Sequence, residues 1–172
     1  MHVLHVLIPL LIAAYFLTAF FLARLFVPFM GFKQYSPPGT LPSEVVETIR
    51  QLEQSSRDAR EYLETAYEFV RKHWHSERLK TITRLPKIFR TDIGEIWRSP
   101  GYAHCTTINF ILYTLLAHSR FFTAGDVRIR HTFFNAVLHQ YLQVRIGAVW
   151  IDADPSTTYL HLPLGQRARL FG

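Results

Sequence analysis

From Val3 to Ala23 the chain carries no formal charge and runs through Leu4, Val6, Leu7, Ile8, Leu10, Leu11 and Ile12 to Phe20, Phe21 and Leu22. That length meets the roughly 20 apolar residues a helix needs to cross the hydrocarbon core of a bilayer. Arg24 ends the run. It has no basic leading region and no small-residue cleavage site, so a retained anchor is expected rather than a removed leader. Arg24 and Lys33 follow the span and no Lys or Arg precedes it, which favours the cytoplasmic side for the rest of a single-pass protein. Leu25 to Phe32 is expected to continue along the interface, and Ser36-Pro37-Pro38-Gly39 with Pro42 reads as a linker. The expected organisation is an anchor with an interfacial segment over 1–32, a linker over 33–42 and one domain over 43–172.

Within that domain Ser43 is an expected helix cap, and Val45, Ile49, Leu52, Ala59, Leu63, Ala66, Val70 and Trp74 recur at the spacing of a long amphipathic helix. Ser55-Ser56 could divide it. Thr81 to Ser99 shows no clear period and contains Pro86, so it reads as loop with short helical pieces. Cys105 to His118 is apolar on most sides, the pattern of a buried helix, and opens on the polar turn Cys105-Thr106-Thr107. After Gly125-Asp126 come three strand-like runs, Val127–Phe134, Val137–Ile146 and Val149–Ala153. In the second, Leu138, Leu142, Val144 and Ile146 share one face, and His139, Tyr141, Gln143 and Arg145 the other. Only Gln140 breaks the alternation. Gly147-Ala148 suits a type II′ hairpin turn, with Gly at its first central position.

Composition narrows the function classes. The net charge of +6 and pI of 9.7 would suit an anionic surface. The basic residues are dispersed among acids, however, and the only local concentration is the tail Arg167-Ala168-Arg169. A nucleic-acid binder should show a basic stripe with interleaved aromatics, so no nucleic-acid partner is expected. The spacings of His73, His75, His104, Cys105, His131 and His139 match no recurrent zinc pattern; no metal and no cofactor is expected. Trp74, Trp97 and Phe133 read as core. One cysteine rules out an intramolecular disulfide, and on an apolar helix it is commonly an inert small hydrophobe.

The hairpin makes a sharper reading testable. If Ile146 and Val149 flank the turn, Tyr141 lies opposite Asp154, with His139 as its diagonal neighbour on the same face. Pairing Arg145 with Ala148 instead would set His139 directly across from Asp154. A one-residue slip would separate them. Cys105, opening a helix, would meet unpaired backbone N–H groups and the positive end of the helix dipole, which favour a nucleophilic thiolate. Nucleophile, base and orienter would then be Cys105, His139 and Asp154, and the Cys105 backbone N–H would be an oxyanion donor. Trp97, Tyr102 and His104 are candidates for a second donor.

His139-Gln-Tyr-Leu-Gln-Val-Arg and Trp150-Ile-Asp-Ala-Asp154-Pro155, downstream of a Cys that opens a buried helix, resemble the transglutaminase-like superfamily. The match spans Cys105 to Ser156, and the helix ending at Trp74 resembles more loosely the one preceding the catalytic helix. The resemblance implies an α+β, papain-like core with the catalytic helix packed on an antiparallel sheet. It implies acyl transfer through a thioester, with peptide or amide hydrolysis favoured over cross-linking and a peptide or protein as substrate. It makes Asp154 the triad acid, with Asp152 a possible substitute. The sequence departs from the family pattern at Ala103, where a Gly is usual, and at Tyr141, where a Trp is usual and an aromatic cleft wall is preserved. Ala103 leaves open an inactive binding module that recruits a protein partner to the membrane.

Overall fold

In the computed structural model, which describes residues 2–31, 35–77, 80, 83–134, 137–157 and 162–168, the amino-terminal run forms one helix, α1 (His2–Phe26). Its stretch Leu7–Phe26 has a mean hydropathy of 2.0 and is long and apolar enough to cross a membrane. Lys33, used above for sidedness, and Arg169 of the basic tail lie outside the described residues.

Beyond α1 the chain does not continue along the helix direction. It turns at Phe29, a non-glycine residue with φ +62°, and buries Met30. The Phe29 ring stacks on Phe110 at 4.0 Å, so the stretch expected at a membrane interface turns into the domain. Tyr35, in the segment read as linker, is also buried in the core.

The long amphipathic pattern is two helices, α2 (Ser43–Gln54) and α3 (Ala59–His73). Ser56 Oγ donates to Leu52 O at 2.7 Å, and Asp58 caps α3 by accepting from Glu61 N at 2.9 Å, so the backbone groups freed at the break find partners. Pro42, rather than the expected Ser43, stands at the cap of α2, and Ser43 is its first helical residue. Both helices turn apolar faces inward, with Val45, Ile49 and Leu52 from α2 and Leu63, Ala66 and Val70 from α3. A 3₁₀ turn (Leu85–Phe89) and α3's short successor α4 (Ile93–Trp97) occupy the stretch read as irregular.

Two short strands, β1 (Trp74–His75) and β2 (Gly101–Tyr102), pair in parallel and were not foreseen. The Ala103 N–H extends the pairing with a 3.0 Å bond to His75 O. Gly101 turns the chain into this strand at φ +101°, a conformation costly for any side-chain-bearing residue. Helix α5 (Cys105–Ala117) follows directly, with His104 at its cap. Its Ile108, Ile111, Leu112, Leu115 and Leu116 are wholly buried. Each such burial is worth about 1.5–3 kcal/mol before the cost of ordering the chain.

Helix α5 packs on an antiparallel sheet of order β3-β4-β5, formed by Val127–Phe134, Val137–Ile146 and Val149–Ala153, the three segments expected. Gly147 has φ +60° and Ala148 does not share the left-handed conformation, as a II′ turn requires. The register sets Ile146 against Val149 and Leu142 against Ala153, the first of the two alternatives above. The domain is α+β: α5 packs on the three-stranded sheet, α3 packs on α5 and α2 on α3, and the apolar helix α1 precedes them.

Candidate functional site

Cys105 is the first residue of α5, delivered by the β1–β2 pairing, and it is partly exposed where Thr106 to Leu116 are buried. At that position its N–H has no intrahelical acceptor and points outward from the helix end. Strand β4 presents His139 and the end of β5 presents Asp154. Extending the observed register by one pair sets Tyr141 beside Asp154, with His139 diagonal to it. The His139 ring closes that diagonal: Nε2 lies 2.8 Å from Asp154 Oδ2. The Cys105 side chain is the ring's other polar neighbour, close enough to favour its charged form. The structure thus brings together the three residues singled out in the sequence.

Electrostatics favour a charged ring. Burial, the largest influence on His139, disfavours the imidazolium. The charge and hydrogen bond of Asp154, joined by those of Cys105, outweigh it and raise the ring from its ordinary 6.5 to about 10.

The acid is firmly held. Asp154 Oδ2 also accepts from the Ala168 N–H at 3.1 Å, Oδ1 accepts from Ser156 Oγ at 2.9 Å, and the residue is 1% exposed. The Tyr67 hydroxyl reaches its backbone carbonyl at 3.2 Å. Asp152, the possible substitute, is occupied elsewhere, since its carboxylate takes the Arg167 guanidinium at 2.8 Å and the Gln143 amide. Arg167 also donates to the Tyr141 hydroxyl at 2.6 Å and lies over that ring. Tyr141 and Asp152 therefore pin the segment that carries Ala168 to Asp154. Arg167, read from the sequence as part of a basic tail, is half-buried in this clamp.

The candidates for a second oxyanion donor fall in different places. Trp97 is half-buried in an aromatic stack, 5.8 Å from Phe69 and 5.2 Å from Trp74, which makes it part of the core. Tyr102 and His104 are both buried and face one another, with the Tyr102 hydroxyl 3.3 Å from His104 Nε2. His104 Nε2 also lies 3.4 Å from Arg84 O, and burial holds that ring below its ordinary pKa.

The sequence reading missed a buried polar cluster behind Cys105. The Tyr35 hydroxyl bonds Gln140 Oε1 and reaches Thr106 O at 3.3 Å. Asn109 Nδ2 donates to Gln140 O at 2.6 Å, and Gln140 Nε2 donates to Phe29 O at 2.7 Å. Burial, reinforced by the nearby Cys105 side chain, raises the Tyr35 phenol well above its usual range, so it remains a donor. The one sequence signal was Gln140 itself, a polar residue on the apolar face of its strand. It is fully buried there.

Among the described residues no group of three or more His, Cys, Asp or Glu side chains is placed to hold a metal ion. What the arrangement can do chemically is transfer a proton between a sulfur and a buried, carboxylate-anchored imidazole at the open end of a helix. No protein-family model matches the sequence, and no curated protein or solved structure matches the chain.

Proposed function

We propose that the chain is a membrane-anchored, transglutaminase-like cysteine peptidase or amidase with a papain-like core. The observation that carries the proposal is the His139 ring, shared between Cys105 and Asp154 at the amino terminus of α5. In this reading α1 is a single-pass anchor. Cys105 sulfur attacks an amide carbonyl, and the Cys105 backbone N–H stabilises the oxyanion that forms. The His139 imidazolium then gives its proton to the departing amine as the carbon–nitrogen bond breaks, leaving a thioester on Cys105. Water attacks that thioester, His139 takes the water's proton, and the acid is released with the thiolate restored. Asp154 holds the ring in orientation and balances its charge, the role its three side-chain hydrogen bonds suit.

The buried Cys helix packed against an antiparallel sheet, and the partial exposure of Cys105 at its amino terminus, both fit this chemistry. The test is labelling by a thiol-reactive acyl probe. Wild-type protein should label at Cys105, while the Cys105→Ala and His139→Ala variants should not. Equal labelling of wild type and Cys105→Ala would sink the proposal. An inactive binding module would leave wild-type protein unlabelled.

A further inference from the structure

Phe133, the penultimate residue of β3 before the β3–β4 connection, meets a residue of α1: its ring packs edge-on against Phe16, with centroids 4.8 Å apart. Phe16 stands at the middle of the apolar stretch Leu7–Phe26. The contact belongs to a longer seam, because Phe16, Ala19, Phe20, Ala23 and Arg24 are the half-buried positions of the helix's second half, at the spacing of one helical face. Strand β4 also packs against α1.

This geometry constrains where the bilayer can be. At about 1.5 Å per residue, the helix from Phe16 to Phe26 covers about 15 Å, roughly half the 30 Å hydrocarbon core. If α1 crosses the membrane through that stretch, the group touching Phe16 lies below the lipid surface. The end of the β3–β4 hairpin is built for that depth. Phe133 and Phe134 close β3, Leu138 follows Val137 into β4, and the nearest charged residue on β3 is Arg130. With about 3.3 Å per strand residue, Arg130 sits about 10 Å back from Phe133, the depth to which an interfacial element enters a membrane. Between them His131 is kept neutral, its pKa pushed down to about 4 by burial and by the nearby Arg24.

The same tip borders the triad. Phe134 is the strand neighbour of Phe133, and its ring lies 5.9 Å from the His139 ring. We propose that the aromatic end of the β3–β4 hairpin is inserted in the bilayer beside α1, so that the Cys105 site opens at the membrane surface and takes acyl substrates carried by bilayer-embedded molecules. The proposal rests on the anchor reading of α1.

The experiment uses the full chain in phosphatidylcholine vesicles whose acyl chains are brominated, which quench tryptophan on contact. Phe133→Trp and Phe134→Trp report on the hairpin, and Phe21→Trp, exposed on α1, reports on the anchor. The emission of the native Trp74, Trp97 and Trp150 in wild-type protein is subtracted. Loss of most of the added emission at Phe21 and at either hairpin position is the expected result; two hairpin variants guard against one that fails to fold. Quenching at Phe21 with full emission at both hairpin positions overturns the insertion and leaves the anchor standing. Full emission at all three overturns both.

Discussion

Replacing Asp154 by Asn keeps the side chain's shape but removes the charge that faces His139. Asn can still accept from the Ala168 N–H, and Ser156 Oγ can turn to suit the amide. The ring loses the two strongest influences that raise its pKa, keeps the larger burial that lowers it, and retains only the weaker pull of Cys105. In wild-type protein the rise from 6.5 to about 10 corresponds to about 5 kcal/mol of preference for the imidazolium, an upper limit for the pair. At pH 7.5 the protonated ring then outweighs the neutral one by roughly 300 to 1. In the variant the ring should fall below 6.5 and be mostly neutral at that pH. NMR of ring-labelled histidine, with His139 assigned by its loss in His139→Ala, reads both states directly. Wild-type His139 should show no titration until above pH 9, and Asp154→Asn should titrate near or below pH 6.5. A His139 ring that is still charged at pH 7.5 in Asp154→Asn would refute the reasoning, as would a neutral ring in the wild type.

Asp152→Asn should leave the His139 titration where it is and loosen only the Arg167 clamp, lowering stability by about 1 kcal/mol in denaturant titration. Tyr35→Phe removes a buried donor from Gln140 and Thr106 O and should cost about 1–3 kcal/mol by the same measurement. Because the folded-state pKa of His139 is raised, its contribution to stability is complete below pH 6.5 and is lost as pH climbs toward 10. Thermal unfolding in detergent should therefore show a midpoint that falls across that window, with a shallower fall in Asp154→Asn.

Features that depend on short-range pattern were legible in the sequence. Alternation along Val137–Ile146 and the Gly147-Ala148 turn fixed three strands and reduced the register to two choices, both of which brought His139 to Asp154. The polar opening of an otherwise apolar segment located Cys105 at a helix start. What stayed hidden depends on distant partners. Tyr35 looks like part of a linker because its neighbours are Ser, Pro and Gly. Its burial comes from Thr106 and Gln140, which lie 71 and 105 positions away in the chain. Ser156 and Ala168 hold Asp154 from a tail without a recognisable period. The helix break at Ser55 was ambiguous because the apolar spacing carries across it; the Asp58 cap settles it.

The hidden residues also bear on function. Phe29 and Tyr35 follow the membrane-length helix and reach Gln140 and Thr106 beside Cys105, so the segment after α1 supplies part of the wall behind that residue. A domain cut at residue 43 would lack that wall, and Gln140 and the Thr106 carbonyl would lose the phenol that bonds them.

The most direct measurement of the central claim is the rate at which iodoacetamide alkylates Cys105 at pH 6.5 in wild-type protein and in His139→Ala. A sulfur sharing its proton with a charged imidazole should react readily at that pH and lose most of its reactivity when the ring is removed. A wild-type cysteine that is inert until pH 8, or one that reacts equally well without His139, would contradict the account.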